Sequence, residues 1–141
     1  MINKTIKPTK CITIGVLLLV VIVGVFYFYH NDPAAGDAVF LRCPSHLIFG
    51  IYCPGCGTQR ALHHLLHLEI REALRYNALF VLAAPFAIYG IAIKTYNFIF
   101  DAKKTTRIPT NRTVWIGLLL LVLLFGIMRN VSVYPFTLLS P

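Results

Sequence analysis

Residues Ile12 to Tyr29 read Ile-Thr-Ile-Gly-Val-Leu-Leu-Leu-Val-Val-Ile-Val-Gly-Val-Phe-Tyr-Phe-Tyr, without one charged side chain. At about 1.5 Å per residue a helix of this stretch spans roughly 27 Å, close to the hydrocarbon thickness of a bilayer. Two further apolar stretches follow. The second opens near Ala78 and closes near Phe100, interrupted by Lys94 near enough to its end to snorkel toward headgroups. The third, Val114 to Met128, is expected to continue to about Val133, with Trp115 at one interface and Arg129 reaching for the other. The expected fold class is an all-α integral membrane protein with three transmembrane helices and one interfacial amphipathic helix after a cysteine-bearing loop.

Composition agrees. The chain has 141 residues, 57% hydrophobic and 13% charged, with a mean hydropathy of +0.73. Soluble domains carry about 25% charged residues, and a chain this short leaves much of its surface exposed. A soluble globular domain, a disordered segment and a collagen-like fibre are therefore excluded. The net charge of +8 raises the question of nucleic acid, but the basic residues flank apolar runs rather than interleave with aromatics along a helix face. No nucleic-acid partner is expected; anionic lipid headgroups are the better match.

The distribution of Lys and Arg orients the chain. Lys4, Lys7 and Lys10 precede the first span, and Lys103, Lys104, Arg107 and Arg112 lie between the second and third. The other side holds Arg42, Arg60, Arg71, Arg75 and Arg129, most of them spread over a longer loop. The positive-inside rule then places the amino terminus in the cytoplasm and the cysteine loop outside it. The expected segments are a basic tail (1–11), span one (12–29), the cysteine loop (30–57), an interfacial helix (58–77), span two (78–100), a basic loop (101–113), span three (114–133) and an outer tail (134–141). The first span is expected to remain as an anchor, despite the small residues of Pro33-Ala34-Ala35-Gly36. It exceeds a signal-peptide core in length and ends in an aromatic cluster, Phe26 to Tyr29. Cys11 reads as a small apolar residue at a helix start rather than as a lipidation site.

The chemistry sits between spans one and two. Cys43-Pro44 is followed, past Gly50, by Cys53-Pro54-Gly55-Cys56-Gly57. From Thr58, a plausible N-cap, Leu62, Leu65, Leu66, Ile70, Ala73 and Leu74 recur at helical steps, with Arg60, His64, His67 and Arg71 on the opposite face. Two thiols two residues apart, at a helix start whose dipole favours thiolate, act as a pair. Three uses compete. Cys43, Cys53 and Cys56 could ligate a metal, zinc first, with His63, His67 or His46 as fourth ligand. Cys53 and Cys56 could instead exchange disulfides as a membrane oxidoreductase, which suits an extracytoplasmic loop. Or a disulfide simply pins the loop. No catalytic base stands out, so the expectation leans away from an enzyme. The remaining polar residues have duller readings: Arg60 on a lipid phosphate, Glu69 paired with Arg60 or Arg71, and Arg129-Asn130 closing the third span as an anchor.

The run Cys43-Pro44, Gly50, Cys53-Pro54-Gly55-Cys56-Gly57-Thr58-Gln59-Arg60-Ala61-Leu62, then Leu65-Leu66, Glu69, Ala73 and Asn77, resembles a bacterial membrane family known as domain of unknown function 2752. Arg129-Asn130 and Pro135-Phe136 resemble its ending. Leu68 stands where that family commonly has glycine, and Ala78 where it has proline after asparagine. The resemblance implies a small multi-span protein of the bacterial inner membrane. It supplies no reaction, substrate or cofactor, and the histidines are not part of its motif. The loop could serve to present a surface to a membrane partner, or the chain could be a subunit of a larger membrane complex.

Overall fold

The first apolar run forms one helix, α1 (Pro8–His30), which opens on a proline whose fixed φ and missing N–H suit a first helical turn. The computed structural model describes residues 8–35, 40, 43–102 and 111–134. Lys4, Lys7, Gly36, Arg42, Lys103, Lys104, Arg107 and Pro135-Phe136 lie outside the described residues. Four helices follow: α2 (Pro44–Phe49), α3 (Thr58–Leu66), α4 (Ile70–Phe100) and α5 (Arg112–Met128). Among the described residues there is no strand.

Two of the helices, α1 and α4, are long and apolar enough to cross a membrane, and none of the most apolar window of either is buried. An apolar helix left uncovered on every side needs an apolar surrounding, because its backbone is satisfied internally while its side chains shun water. α5 is also apolar but shorter, with 17 residues. Its expected continuation to Val133 is corrected: the helix stops at Met128, Arg129 is its C-cap, and the chain turns there. The physical reason is that the Arg129 and Asn130 side chains turn back onto the cysteine loop.

The stretch 58–77 is not one continuous helix. α3 closes through a pair of backbone bonds, Leu68 N–H to Leu65 O (3.1 Å) and Glu69 N–H to His64 O (2.9 Å), with Leu68 in the left-handed region at φ 62°. This is the Schellman arrangement, whose left-handed position usually belongs to glycine. The chain reverses, and α3 packs against the start of α4; Ala61 and Ala73, one from each helix, have no exposed surface. Within α4 the backbone of Asn77 is extended (φ −159°, ψ 89°), so a short first segment is set off from the longer run that begins at Ala78.

Side chains fix how the ends meet. Lys10 Nζ bonds Asp101 Oδ1 at 2.6 Å and Phe98 O at 2.9 Å, joining the start of α1 to the end of α4. At the other end of α1, His63 Nδ1 lies 2.7 Å from Phe28 O, and His67 stacks on Tyr29 with centroids 4.3 Å apart. The carbonyls in the last turn of a helix lack in-helix partners, and the imidazole N–H of His63 supplies one.

Candidate metal centre

Three sulfurs converge where α2, α3, α4 and α5 come together. Cys43 is the N-cap residue of α2, with Pro44 filling the first helical position. Gly50 closes α2 at φ 67°, a left-handed conformation that glycine adopts without a Cβ penalty. The chain then enters the Cys53-Pro54-Gly55-Cys56 turn, held by Cys56 N–H to Cys53 O at 3.0 Å. Gly57 starts α3 at φ 76°. Cap duty at α3 thus falls to Gly57, not Thr58, whose hydroxyl donates to Gly55 O at 2.7 Å.

Cys53 is central. Its Sγ lies 3.2 Å from Cys43 Sγ and 3.3 Å from Cys56 Sγ, and its N–H points at Cys56 Sγ at 3.2 Å. All three sulfurs lie within 4.8 Å of one another. Cys43 and Cys53 are half-buried and Cys56 is buried. The thiols differ in acidity. Hydrogen bonds from Cys53 and then Cys56, with the amides of His46 and Ser45 adding, bring Cys43 down to about 6. Burial, reinforced by the other two sulfurs, pushes Cys56 up to about 12.

Two buried polar side chains hold this turn from below. Arg129, 1% exposed, donates through Nη1 to Cys56 O at 2.8 Å, with Cys53 O and Pro54 O at 3.4 Å, and through Nη2 to Tyr76 O at 3.0 Å. Asn77, also 1% exposed, donates through Nδ2 to Pro54 O, Cys56 O and Thr58 Oγ1 at 3.0–3.1 Å. Its Oδ1 accepts from Phe80 N–H at 2.9 Å, capping the longer run of α4. That cap takes the amide that would otherwise bond Tyr76 O, and the freed carbonyl accepts from Arg129. A third clamp is Asn130: its amide accepts from Tyr52 N–H and donates to Tyr52 O, both at 2.8 Å. Among the described residues no buried side-chain polar atom is left without a partner.

The turn also packs closely on α5. A Cβ built on Gly126 would sit 3.0 Å from Pro54 Cγ, so only glycine permits this approach without movement.

The residues singled out from the sequence separate into two groups. Cys43, Cys53, Cys56, Pro44, Pro54, Gly55, Gly57, Thr58, Asn77 and Arg129 belong to this cluster or its immediate support. The histidines are engaged elsewhere. His46 stacks on Tyr52, His63 bonds α1, and His67 bonds His63 O through Nδ1; the ligand group contains the three sulfurs and no histidine. Arg60 lies over the Tyr76 ring at 5.7 Å, and Glu69 pairs with His64 at 2.6 Å rather than with Arg60 or Arg71. Arg129 is a clamp on the cysteine turn rather than the interfacial anchor expected of it, and it donates to backbone carbonyls.

The donor set suits a thiophilic ion. Zinc–sulfur bonds of about 2.3 Å in a tetrahedral arrangement put sulfurs roughly 3.8 Å apart, so the Cys43–Cys53 and Cys53–Cys56 pairs need open by only about half an ångström. Three thiolates and a divalent cation leave one net negative charge, and the Arg129 guanidinium at the carbonyls of Cys53 and Cys56 lies in place to offset it.

No curated protein and no solved structure matches the chain. Residues 43–91, from the first cysteine of the loop into α4, match the family described as "Protein of unknown function (DUF2752)", so the resemblance carried by the cysteine motif holds over that segment.

Proposed function

We propose that this chain is a three-span inner-membrane protein whose Cys43, Cys53 and Cys56 form a structural metal centre on the extracytoplasmic side, with zinc as the resident ion. The observation that carries this reading is the convergence of three sulfurs within 4.8 Å on a turn whose carbonyls are gripped by Arg129 and Asn77. A turn fixed from below with its sulfurs pooled on one side is built for a ligand that needs all three. Support for the spans comes from α1 and α4, long apolar helices joined at one end by Lys10–Asp101, and from the shorter apolar α5, whose end carries Gly126 and Arg129 to the cysteine turn. Orientation rests on the basic residues at the Lys10 end. The centre stiffens a loop that could face a membrane partner.

A second reading, thiol–disulfide exchange, draws on the unequal acidities of the sulfurs. It would use Cys43 as the attacking thiolate and Cys53, 3.2 Å away, as its partner, with Cys56 held protonated. Metal analysis of detergent-purified protein, combined with intact mass after alkylation, separates the two. About one equivalent of zinc with three thiols shielded until chelator is added supports the metal centre. A metal-free protein with a mass two hydrogens low overturns it in favour of a disulfide.

A further inference from the structure

The stretch 43–59 contains no Asp, Glu, Lys or Arg, although it lies outside every helix long enough to span a membrane. A water-facing loop carries charge at about one residue in four. Within this stretch α2 turns its largest side chains away from the protein: Leu47 is 63% exposed, Ile48 71% and Phe49 72%, and Ile51 beyond Gly50 is also exposed. In water this would be a costly arrangement for four apolar side chains set around one glycine.

We infer that α2 and Ile51 are a membrane foot, seated in the interfacial layer of the bilayer that α1, α4 and α5 cross. Its depth follows from the clamps. Pro54 rests on Gly126, inside the apolar helix α5 rather than beyond its end, and Tyr52 is paired to Asn130 just past that end. The foot directly precedes these contacts in the chain, so it lies at the level of the last turn of α5. His46 and Tyr52, stacked with centroids 4.4 Å apart, supply the amphipathic rings that belong at headgroup depth. Cys43, at the N-terminal end of α2, is thereby held at the boundary between lipid and water, and the foot and the Arg129–Asn77 clamps together set the depth of the sulfur cluster. The occupant of this face is lipid, not protein, because Tyr52 and Pro54, which directly follow it, are seated on α5, an apolar helix with no buried residue of its own. The inference rests on the membrane reading, though not on the metal.

The test uses the full chain with Trp115→Phe, so that one introduced tryptophan reports. Phe49→Trp, and separately Ile48→Trp, are reconstituted into phosphatidylcholine–phosphatidylglycerol vesicles with and without lipids brominated high on the acyl chain. Leu120→Trp, in the middle of α5, reports the span itself. The expected result is that both foot variants lose most of their emission to bromolipid and are shielded from aqueous iodide. If Leu120→Trp is quenched by bromolipid while both foot variants are quenched by iodide instead, the foot is overturned and the spans stand. If the foot variants escape both quenchers, a protein partner or a second copy covers the face and the inference is likewise overturned. If Leu120→Trp also escapes bromolipid, the membrane reading itself fails and the foot falls with it.

Discussion

The Arg129 guanidinium donates to the carbonyl of Cys56 at 2.8 Å, across 73 residues of sequence. The contact joins the end of the last helix to the backbone of the cysteine turn, and the same side chain reaches Tyr76 O at the break in α4. A planar fork with donors on two edges can serve both; a single ammonium cannot. Arg129→Met should therefore strip Tyr76 O of its partner and Cys56 O of its charged donor, destabilising the loop by roughly 1–3 kcal/mol, with Arg129→Lys recovering only part. The measurement is thiol protection against alkylation in detergent, alongside the thermal midpoint. Full protection in Arg129→Met would count against the clamp.

Asn77 gives a second prediction because its amide does two jobs at one bend. Asn77→Asp keeps the acceptor for Phe80 N–H but replaces three donated bonds with repulsion toward Pro54 O and Cys56 O. It should be nearly as damaging as Asn77→Ala, each costing about 1–3 kcal/mol. Ala78→Pro should be harmless. Position 78 opens the helix after an extended residue, where a proline's missing N–H and fixed φ are tolerated. A fall in thermal midpoint for Asn77→Asp with no fall for Ala78→Pro would verify the capped break; the reverse order would show that α4 is continuous there.

Gly126 tests the seating of the turn on α5. Gly126→Ala puts a methyl 3.0 Å from Pro54 Cγ, and the pyrrolidine ring has little freedom to yield. Overpacking of this kind costs about 1–3 kcal/mol. Gly117→Ala on the same helix meets nothing within 4 Å and should be neutral. Comparing the two by thermal unfolding and by accessibility of Cys53 isolates the contact from any general effect of alanine in the helix.

How much of this is legible in the sequence depends on the range of the interaction. The run Ile12 to Tyr29 announces a helix because its length and lack of charge are local properties. The sulfur cluster is legible for a similar reason, since Cys-Pro-Gly-Cys brings two thiols together whatever else the chain does. α2 is not legible: six residues starting with proline are too short to show a period, and exposure of Leu47 to Phe49 reverses the usual expectation for a loop. Arg129 reads as an interfacial anchor because its partners are backbone carbonyls, which leave no mark on residue identity. Leu68 hides the break between α3 and α4, since leucine continues a helical pattern while the backbone here has left it.

The acidities of the thiols give a prediction in pH. With Cys43 lowered to about 6, its thiolate should be the dominant form at pH 7 in reduced, metal-free protein, and Cys56, raised to about 12, should remain protonated. Thiolate is the nucleophile, so alkylation of Cys43 should climb through pH 6 and level off above it, while Cys56 stays unreactive across the neutral range. Mass spectrometry of peptides after brief iodoacetamide pulses reads the order directly. Cys53→Ser removes the first donor to Cys43 and should shift its profile upward in pH; an unmoved profile would show that the sulfur–sulfur contact is not its cause.

Leu68 offers the last test, and its sign is opposite to most substitutions of a leucine. Its backbone sits at φ 62° in the position of a Schellman turn that glycine fills without steric penalty. A left-handed conformation costs an ordinary L-residue roughly 1–2 kcal/mol. The side chain is 85% exposed and has little packing to lose. Glycine gains entropy in the unfolded chain, which returns part of the relief. The net expectation for Leu68→Gly is stabilisation of up to about 1 kcal/mol, read as a thermal midpoint a few degrees higher in detergent. Leu68→Val should move the other way, since β-branching makes the left-handed region costlier still. If glycine lowers the midpoint, the exposed leucine is held by contacts to lipid or detergent that outweigh its backbone strain.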